Sequence, residues 1–424
     1  MRFNILTIFP EFFSSVLSCG LLSRAVDSGL VDFQVLDLRE FSQDKHRNTD
    51  DRVYGGGPGM VMMADPPLCA LKSLGRETRT LLLTPRGRVF DQNMARDLAG
   101  EREITIVCGR YEGIDARLEE LWDLELVSLG QFVLNGGESA AMCLVEAVSR
   151  LLPGFMHHAE SAVEESFSDG LLEYPHYTRP ELYEGLQVPE VLRSGHHGRI
   201  AAWRREQSLR TTLRLRPGLL AEARLTEADM AFLREEPRLR VGRNLHLALI
   251  HHPVLNRRGE VVTTSLTNLD VHDIARVCSA YGLGGYVVCT PVEEHRRLAR
   301  VLVSHWTEGG GGEANPDRRA ALSTVQVVTD LQEARESVRK TTGQAPLVLA
   351  TSAREGFMPW TEVARCLEVR PVLLVLGTGS GLADEVLRNV DGVLRPIRFM
   401  DPGNHLSVRS AASIMVDRIL GDAR

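Results

Sequence analysis

The sequence has no long apolar run. Although 43% of its 424 residues are hydrophobic, no uninterrupted stretch approaches the roughly 20 residues that cross a bilayer. We therefore expect no membrane role. The apolar start, MRFNILTIFPEFFSSV, is interrupted by Glu11, and no small-residue cleavage site follows it. We interpret it as a strand that continues into a helix rather than as a signal peptide.

Closely spaced cysteines are also missing. The seven cysteines are odd in number and scattered, and no two of them are spaced as CxxC. Such a set argues against a disulfide framework and against a zinc site. We therefore expect the protein to be cytoplasmic.

The chain lacks the excess of positive charge that is common among proteins that bind nucleic acids. It carries 49 basic and 56 acidic residues, so its net charge is −7 at pH 7. Any surface that binds RNA must therefore be a local patch, and the distribution of charge matters more than its sum.

Short β-rich runs alternate with helical patterns in the first part of the chain, which predicts βαβ units on a parallel sheet. The runs are residues 3–8, 33–38, 80–84, 104–108 and 124–128. From Pro180 to about Glu236 the pattern predicts helices in LYEGLQVPEVL, RIAAWRREQSLRTTLRL and TEADMAFLREE, with Thr226 as a helix cap. A charged hinge, REEPRLRVGRN, then precedes a second α/β series, in which EGGGGEANPD predicts an exposed loop.

The two α/β parts share a pattern. LLLTPRG, VCGRYEGID and LNGGESAAMCLVEAVSRLLPG follow one another in the first part, as LVLATSA, LVLGTGSGLADE and LSVRSAASIMVDRILGD do in the second. In each trio a strand ends in a small or polar turn, a second strand ends in a glycine-rich loop, and a third loop opens a helix of small residues. We predict one architecture for both parts, despite little residue identity.

Glycines follow three successive strands of the first part. Glycine lets a backbone approach a ligand closely, so these loops suit a nucleotide-like ligand, although ordinary tight turns are the alternative. Neither the GxGxxG spacing of a dinucleotide fold nor the GxxxxGK of a phosphate-binding loop is present. An adenosine-type ligand without a phosphate fits better.

Five longer segments make a specific resemblance. DDRVYGGGPGMVMM (50–63), VCGRYEGID (107–115), GQFVLNGGE (130–138), ESFSDGLLEYPHYTRP (165–180) and SGHHGRIAAWRREQSL (194–209) resemble, in order, the signature segments of the bacterial tRNA (guanine-37-N1) methyltransferase family. The likeness covers roughly residues 1–236. That family belongs to the SPOUT superfamily, whose members fold as a deep trefoil knot.

The resemblance implies a fold, a reaction and partners. It implies an α/β, trefoil-knotted parallel sheet with helices on both faces, a small all-helical domain, and a second α/β knot-type domain. We predict a knotted S-adenosylmethionine-binding domain at residues 1–165, a helical tRNA-binding domain at 166–240 and a second methyltransferase-like domain at 241–424. The implied reaction transfers a methyl group from S-adenosylmethionine to N1 of guanosine 37, in the anticodon stem-loop of tRNA. The implied assembly is a homodimer with active sites shared between subunits.

The resemblance also assigns the methyl-donor site. Its residues are Gly109, Tyr111, Glu112, Gly113, Leu129, Gly130, Gln131, Phe132, Val133, Leu134, Gly136 and Gly137. Phe132 and Ala140 stand where the family often has Tyr and Pro, and both keep an apolar wall.

Guanine N1 carries a proton, so its methylation needs a base and a cation that stabilises charge on the purine. By resemblance Glu165 takes the place of the family's aspartate base, one methylene longer, and Arg150 that of its arginine partner. The alternatives are a turn cap at Glu165 and a cation that complements the helix dipole at Arg150. Because the family depends on magnesium, we also consider Mg²⁺ bound by Glu112 and Glu165.

Two segments are candidates for binding RNA. Between residues 193 and 216 there are seven arginines and one acid, Glu206, and arginines bind phosphate well. The alternative is a solvated amphipathic face. A second segment, DKHRNTDDRVYGGGPGM, contains four glycines that could enclose a flipped-out guanine. The predicted RNA-binding residues are Arg52, Gly55, Gly56, Gly57, Arg199, Trp203, Arg204 and Arg205.

Residues 245–424 also resemble the knotted superfamily, with Gly377, Gly379, Gly381 and the turn before Ser407 as cofactor loops. No carboxylate there matches Glu165 by motif. We therefore expect this part to methylate a sugar hydroxyl of RNA as a separate activity, to bind RNA only, or to serve dimerisation, and Arg409 is the residue to test first. The rival for the whole chain is a two-knot RNA-binding or assembly protein with reduced catalysis.

Overall fold

A computed structural model of the chain describes residues 1–75, 78–156, 165–236, 241–401 and 405–422. It divides into two compact units, Met1–Arg214 and Leu215–Arg424. Within the described residues, no helix combines the length and the apolar character that a bilayer crossing requires.

The first unit contains a five-stranded parallel sheet in the order β2–β1–β6–β5–β7. The strands of this unit are β1 (Arg2–Thr7), β2 (Asp32–Asp37), β3 (Asp50–Arg52), β4 (Met60–Met62), β5 (Arg79–Val89), β6 (Glu103–Cys108), β7 (Glu125–Ser128), β8 (Leu182–Tyr183) and β9 (Leu186–Gln187). The helices are α1 (Ser14–Leu17), α2 (Gly20–Asp27), α3 (Asp65–Ser73), α4 (Gln92–Ala99), α5 (Arg117–Leu121), α6 (Glu138–Ser149), α7 (Glu190–Arg193) and α8 (His197–Leu215), with 3₁₀ turns at Pro10–Phe13 and Leu38–Phe41. All five predicted β runs are strands of the sheet.

Both faces of this sheet are covered, as the continuous apolar character of its strands requires. Successive residues of β1 point to opposite sides, so Ile5 packs with residues of α2, α4 and α6, whereas Leu6 packs with residues of α3 and α5. In β6, Ile106 packs on the same face as Ile5, and Val107 packs on the same face as Leu6. Each fully buried side chain of this kind contributes about 1.5–3 kcal/mol. The predicted α/β class with a parallel sheet is confirmed.

The second unit repeats this topology. Its strands are β10 (Leu245–Ile250), β11 (Val254–Leu255), β12 (Val261–Val262), β13 (Gly285–Cys289), β14 (Val325–Val328), β15 (Leu347–Thr351), β16 (Val372–Gly377) and β17 (Gly392–Leu394). Its helices are α9 (Glu227–Glu235), α10 (Asn268–Ala280), α11 (Glu293–Thr307), α12 (Gly310–Ala314), α13 (Pro316–Leu322), α14 (Leu331–Thr342), α15 (Trp360–Leu367), α16 (Asp384–Arg388) and α17 (Val408–Leu420), with 3₁₀ turns at Pro217–Ala221 and Val241–Asn244.

The sheet order of the second unit is β14–β13–β10–β16–β15–β17. Without the edge strand β14, the strands follow the same order by chain position as β2–β1–β6–β5–β7. The neighbouring strands are again parallel. This identity of topology confirms the shared architecture that the repeated loop pattern predicts. In both units, the carboxyl ends of three strands open into loops at one edge of the sheet, where α/β proteins place their ligands.

One local prediction is wrong, one is wrong in part, and one is confirmed. LYEGLQVPEVL is not one helix, because Glu184 and Gly185, with φ of 49° and 81°, turn β8 into β9 before α7 begins. The segment EGGGGEANPD is largely exposed, as predicted, but its four glycines at 309–312 do not form a loop. They enter α12, where Gly312 is buried so close to Trp306 that a Cβ would overlap its carbonyl oxygen. Thr226 caps α9 through a capping box with Asp229.

Candidate active site

A cavity of about 450 Å³ lies at the carboxyl ends of β5, β6 and β7. Ten of the twelve residues predicted to bind the methyl donor line it: Gly109, Tyr111, Glu112, Gly113, Leu129, Phe132, Val133, Leu134, Gly136 and Gly137. Gly130 and Gln131 belong to the same loop but are not among the lining residues. Loops after three different strands therefore converge on one space.

The shape of the cavity depends on close backbone contacts between two of these loops. The amide of Gly137 donates to the carbonyl of Gly109 at 2.9 Å. A Cβ at Gly137 would lie 2.8 Å from Cys108 Cα, and one at Gly136 would overlap the Arg110 guanidinium. Only glycine fits at position 137, and a side chain at position 136 would have to displace Arg110, so this part of the pocket wall is backbone.

The β3–β4 hairpin packs directly against the loop that follows β6. Met62 donates its amide to the Gly113 carbonyl at 2.9 Å, and Glu112 donates to the Met60 carbonyl at 3.0 Å. Glu112 also lies over Gly59, where a Cβ would be 2.5 Å from its Oε1. The hairpin tip contains the predicted RNA-binding residues Arg52, Gly55, Gly56 and Gly57, together with the almost fully exposed Tyr54. The structure thus places this segment at the edge of the donor cavity.

Tyr111 occupies a backbone conformation that side chains rarely adopt, with φ of 58°. Partial burial of its ring and the neighbouring Asp50 carboxylate raise the pKa of the Tyr111 phenol. The phenol is therefore neutral near pH 7 and able to donate a hydrogen bond.

A buried network below the cavity escapes sequence reasoning. The carboxylate of Glu138 is fully buried, accepts a hydrogen bond from Thr7 Oγ1 at 2.7 Å, and pairs with Arg110 Nε at 2.9 Å. The Arg110 guanidinium in turn lies 4.5 Å from the centre of the Phe9 ring. Because Arg110 forms a β-bridge with Gly136, this network holds the segment between β7 and α6 in place. The only sequence signal is an acidic residue that begins an otherwise apolar helix.

The predicted catalytic pair is formed, but at the other end of α6. Arg150 Nη2 donates to Glu165 Oε1 at 2.5 Å, and both side chains are partly exposed. Neither residue lines the donor cavity. Arg150 instead lines a second space of about 780 Å³ with Leu21, Cys143 and Phe155. At 1.5 Å per residue, α6 puts about 18 Å between its two ends.

Helix α8 supports the segment that carries Glu165. Leu172 donates its amide to Thr212 Oγ1 at 2.9 Å, and Arg205 lies 3.8 Å from Asp169. The Arg204 guanidinium lies 4.8 Å from the centre of the Tyr174 ring. The ring of Trp203, also on α8, lies 6.3 Å from that of Tyr177. Three of the four predicted RNA-binding residues of α8 therefore contact residues 169–177, whereas Arg199 is exposed.

The second unit has its own cavity, of about 520 Å³, at the corresponding strand ends. The predicted glycines line it, as does Ser407, which begins α17. Gly379 and Gly381 have φ of 62° and 117°, which residues with a side chain rarely adopt.

A buried histidine lies close to this loop in the same unit. Burial lowers the pKa of His251 to about 4, so the ring is neutral at pH 7. Its Nδ1 lies 3.2 Å from Thr264 Oγ1.

No group of three or more possible metal ligands occurs in the described ranges. Glu112 lies at the donor cavity, whereas Glu165 pairs with Arg150 away from it. The structure does not bring these two carboxylates together within one chain.

Comparison with known proteins gives a consistent result. A model of the tRNA (guanine-1)-methyltransferase family TrmD matches residues 1–222, and a model of an S-adenosylmethionine-dependent RNA methyltransferase family matches residues 244–421. Proteins called tRNA (guanine-N(1)-)-methyltransferase from Oleidesulfovibrio alaskensis and Nitratidesulfovibrio vulgaris are each 57% identical to this chain, with complete coverage of both chains.

A protein of the same name from Caldanaerobacter subterraneus is 50% identical over 238 residues, which is 56% of this chain and 98% of that protein. The resemblance expected from the five signature segments is thus confirmed. The chain belongs to the tRNA (guanine-1)-methyltransferase family and carries a second, S-adenosylmethionine-dependent RNA methyltransferase domain at its C-terminal end.

Proposed function

We propose that the chain transfers a methyl group from S-adenosylmethionine to N1 of the guanosine at position 37 of tRNA, next to the anticodon. The observation that carries this proposal is the Arg150–Glu165 pair, in a chain whose family acts on guanine. S-adenosylmethionine supplies the methyl group from its sulfonium. Glu165 accepts the N1 proton as the new bond forms, and Arg150 orients Glu165 and stabilises charge on the purine.

The donor pocket fits this cosubstrate. Part of its wall is glycine backbone, and its rim is apolar, with Phe132, Val133 and Leu134 exposed. Such a wall suits an adenosine and needs no phosphate-binding group. Gly109, Tyr111 and Gly113 would hold one side of the donor and Leu129–Leu134 the other, Gly130 and Gln131 included, while Gly136 and Gly137 close the pocket.

We infer that the active site is shared between two copies of the chain. Within one copy, α6 separates the donor cavity from the Arg150–Glu165 pair by about 18 Å, which is far beyond the distance of a methyl transfer. A second copy related by two-fold symmetry can place its own pair at the cavity of the first. The apolar space beside Arg150, with the partly exposed Leu21 and Phe155, is the surface we assign to this homodimer.

Beyond the order of the strands in the sheet, we propose that the chain between β7 and α6 passes beneath the loop that follows β6, as in a trefoil knot. The Gly137–Gly109 hydrogen bond and the Arg110–Gly136 bridge support this path. We keep the three domains 1–165, 166–240 and 241–424 as the functional division, because Glu165 begins the segment that α8 holds.

The anticodon stem-loop would lie between the β3–β4 hairpin and α8. Arg199 offers an exposed guanidinium for a phosphate, and Arg52 with Gly55–57 belongs to the hairpin that bonds to Glu112 and Gly113 of the cavity lining. Arg204, Arg205 and Trp203 would bind RNA while they also hold the segment of Glu165. A magnesium ion bound by Glu112 and Glu165 would require carboxylates from different copies.

The direct test is the product formed on defined RNA. With purified full-length protein and S-adenosylmethionine, a tRNA transcript that carries guanosine at position 37 is expected to yield 1-methylguanosine after nuclease digestion and mass spectrometry. A transcript that differs only by adenosine at position 37 is the matched control and is expected to yield none. Equal yields from both transcripts would refute the assigned position.

A second candidate function concerns the C-terminal unit. We propose that it binds its own S-adenosylmethionine and methylates RNA separately. The observation that favours this activity is the repetition of strand order, glycine loop and cavity in the second unit. The chain would then hold two donors, one in each unit.

A further inference from the structure

The second cavity contains a carboxylate that no sequence motif indicates. Asp270 lines it together with the glycine loop at 377–381. The Asp270 side chain is only 13% exposed, and its Oδ1 lies 3.4 Å from Arg409 Nε. A carboxylate that lines the second cavity therefore pairs with an arginine of α17.

The two oxygens of Asp270 have different partners. Thr267, the N-cap of α10, donates its hydroxyl to Oδ2 at 2.6 Å and accepts the Asp270 amide at 3.2 Å. Capping of α10 thus accounts for Oδ2 but not for the contact of Oδ1 with Arg409. Arg409 has a second partner on α10, because its Nη1 donates to Asp273 Oδ2 at 3.1 Å. The pair is fixed in place beside the cavity.

The first unit provides the contrast. Helices α6 and α17 follow the last strand of their sheets, β7 and β17, and both begin at a donor cavity. Arg150 stands at the end of α6, far from the cavity, whereas Arg409 stands in the first turn of α17. The second unit therefore assembles a donor pocket, a carboxylate and an arginine within one chain.

Exposed aromatic side chains near the cavity indicate the kind of acceptor. The loops at 352–358 and 395–401 carry Phe357, 89% exposed, and Phe399, 59% exposed. The Arg395 guanidinium lies 5.0 Å from the centre of the Phe399 ring. Exposed aromatic rings beside arginines stack unpaired bases and bind the adjoining phosphates. This chemistry favours an unpaired nucleoside of RNA.

We propose that Asp270 is the general base of a second methyl transfer, to an unpaired nucleoside of RNA, and that Arg409 positions it. This inference rests on the proposed second donor pocket. The bond from sulfur to the methyl carbon breaks and leaves S-adenosylhomocysteine, a new bond joins that carbon to a nitrogen or oxygen of the nucleoside, and the displaced N–H or O–H proton passes to Asp270. The sulfonium charge is neutralised as the proton moves to the carboxylate, so the step needs no other reactant.

The test uses the full chain with its first site silenced by Glu165→Ala. Tritiated S-adenosylmethionine and total RNA from cells that lack this gene are the probes. We expect the Glu165→Ala protein to label RNA, and the added change Asp270→Asn to reduce labelling about 100-fold, because a general base contributes on that order. Mass spectrometry of the labelled nucleoside distinguishes a base nitrogen from a ribose oxygen as the acceptor.

Two controls separate catalysis from folding. Asp417→Asn removes another carboxylate of the same unit, one that accepts from the Tyr281 hydroxyl at 2.8 Å, and is expected to leave labelling unchanged. Asp270→Glu is expected to restore part of the lost activity. Donor titration should give two S-adenosylmethionine molecules per chain in the Asp270→Asn protein. One molecule per chain in the unaltered protein would refute the second donor pocket. Two molecules per chain with no RNA labelling by Glu165→Ala would refute the second methyl transfer, whereas full labelling after the added change Asp270→Asn would refute only the role of Asp270.

Discussion

Replacement of Glu165 by alanine is expected to lower kcat for tRNA methylation by about 10²–10⁴-fold, the contribution of a positioned general base. The donor should still bind within twofold of its original affinity, because the proposed partner of Glu165 is the N1 proton of the guanine and not the donor. The measurements are single-turnover methylation of a transcript with guanosine 37 and calorimetric titration of S-adenosylmethionine.

Two further variants make this expectation specific. Glu165→Asp restores the residue type that the family uses and should retain most activity. Glu173→Ala, a neighbouring acid that pairs with His176 at 3.8 Å, should behave as the unaltered protein does. Unchanged kcat in Glu165→Ala would show that another group removes the proton.

Loss of Glu138 is expected to have the largest effect on stability. Glu138→Ala leaves the partly buried Arg110 without its counter-ion and the Thr7 hydroxyl without its acceptor. Breaking a buried pair in this way costs about 3–5 kcal/mol. Donor binding should weaken as well, because Arg110 contacts Gly136 at the pocket wall. Denaturant unfolding and donor titration measure the two effects.

Glu120→Ala is the control for this change, since Glu120 is an exposed acid on α5 of the same unit. Its effect should stay within about 0.5 kcal/mol. Equal stabilities of Glu138→Ala and Glu120→Ala would mean that the buried network does not hold the loop.

Much of the fold follows from local pattern. Strands β1 and β6 are short apolar runs buried on both sides, and the alternation of such runs with helical patterns predicts a parallel sheet. The repeated loop pattern also predicts the common topology of the two units. The sequence does not indicate the turn at Glu184–Gly185, because a hairpin of two-residue strands leaves no periodicity to detect. It does not indicate helix α12 either, because consecutive glycines have low helix propensity.

Some residues of the active site are predictable from the sequence and others are not. Glycines that follow strands indicate a nucleotide-like ligand, and the resemblance to the family assigns the residues of the donor pocket. Glu138 and Asp270 are different, because their importance comes from partners distant in the chain: Thr7 for Glu138 and Arg409 for Asp270. The distance between Gly137 and Arg150 is likewise evident only from the structure, because these residues cap opposite ends of α6.

Subunit mixing tests the shared active site most directly. Ala140→Phe fills the donor cavity that Ala140 lines, and Glu165→Ala removes the base, so each homodimer alone should be inactive. In a one-to-one mixture about half of the dimers contain both variants, and each of these has one complete site. We predict methylation of the guanosine 37 transcript at about a quarter of the unaltered rate. A mixture no more active than the two separate variants would contradict a site built from two copies.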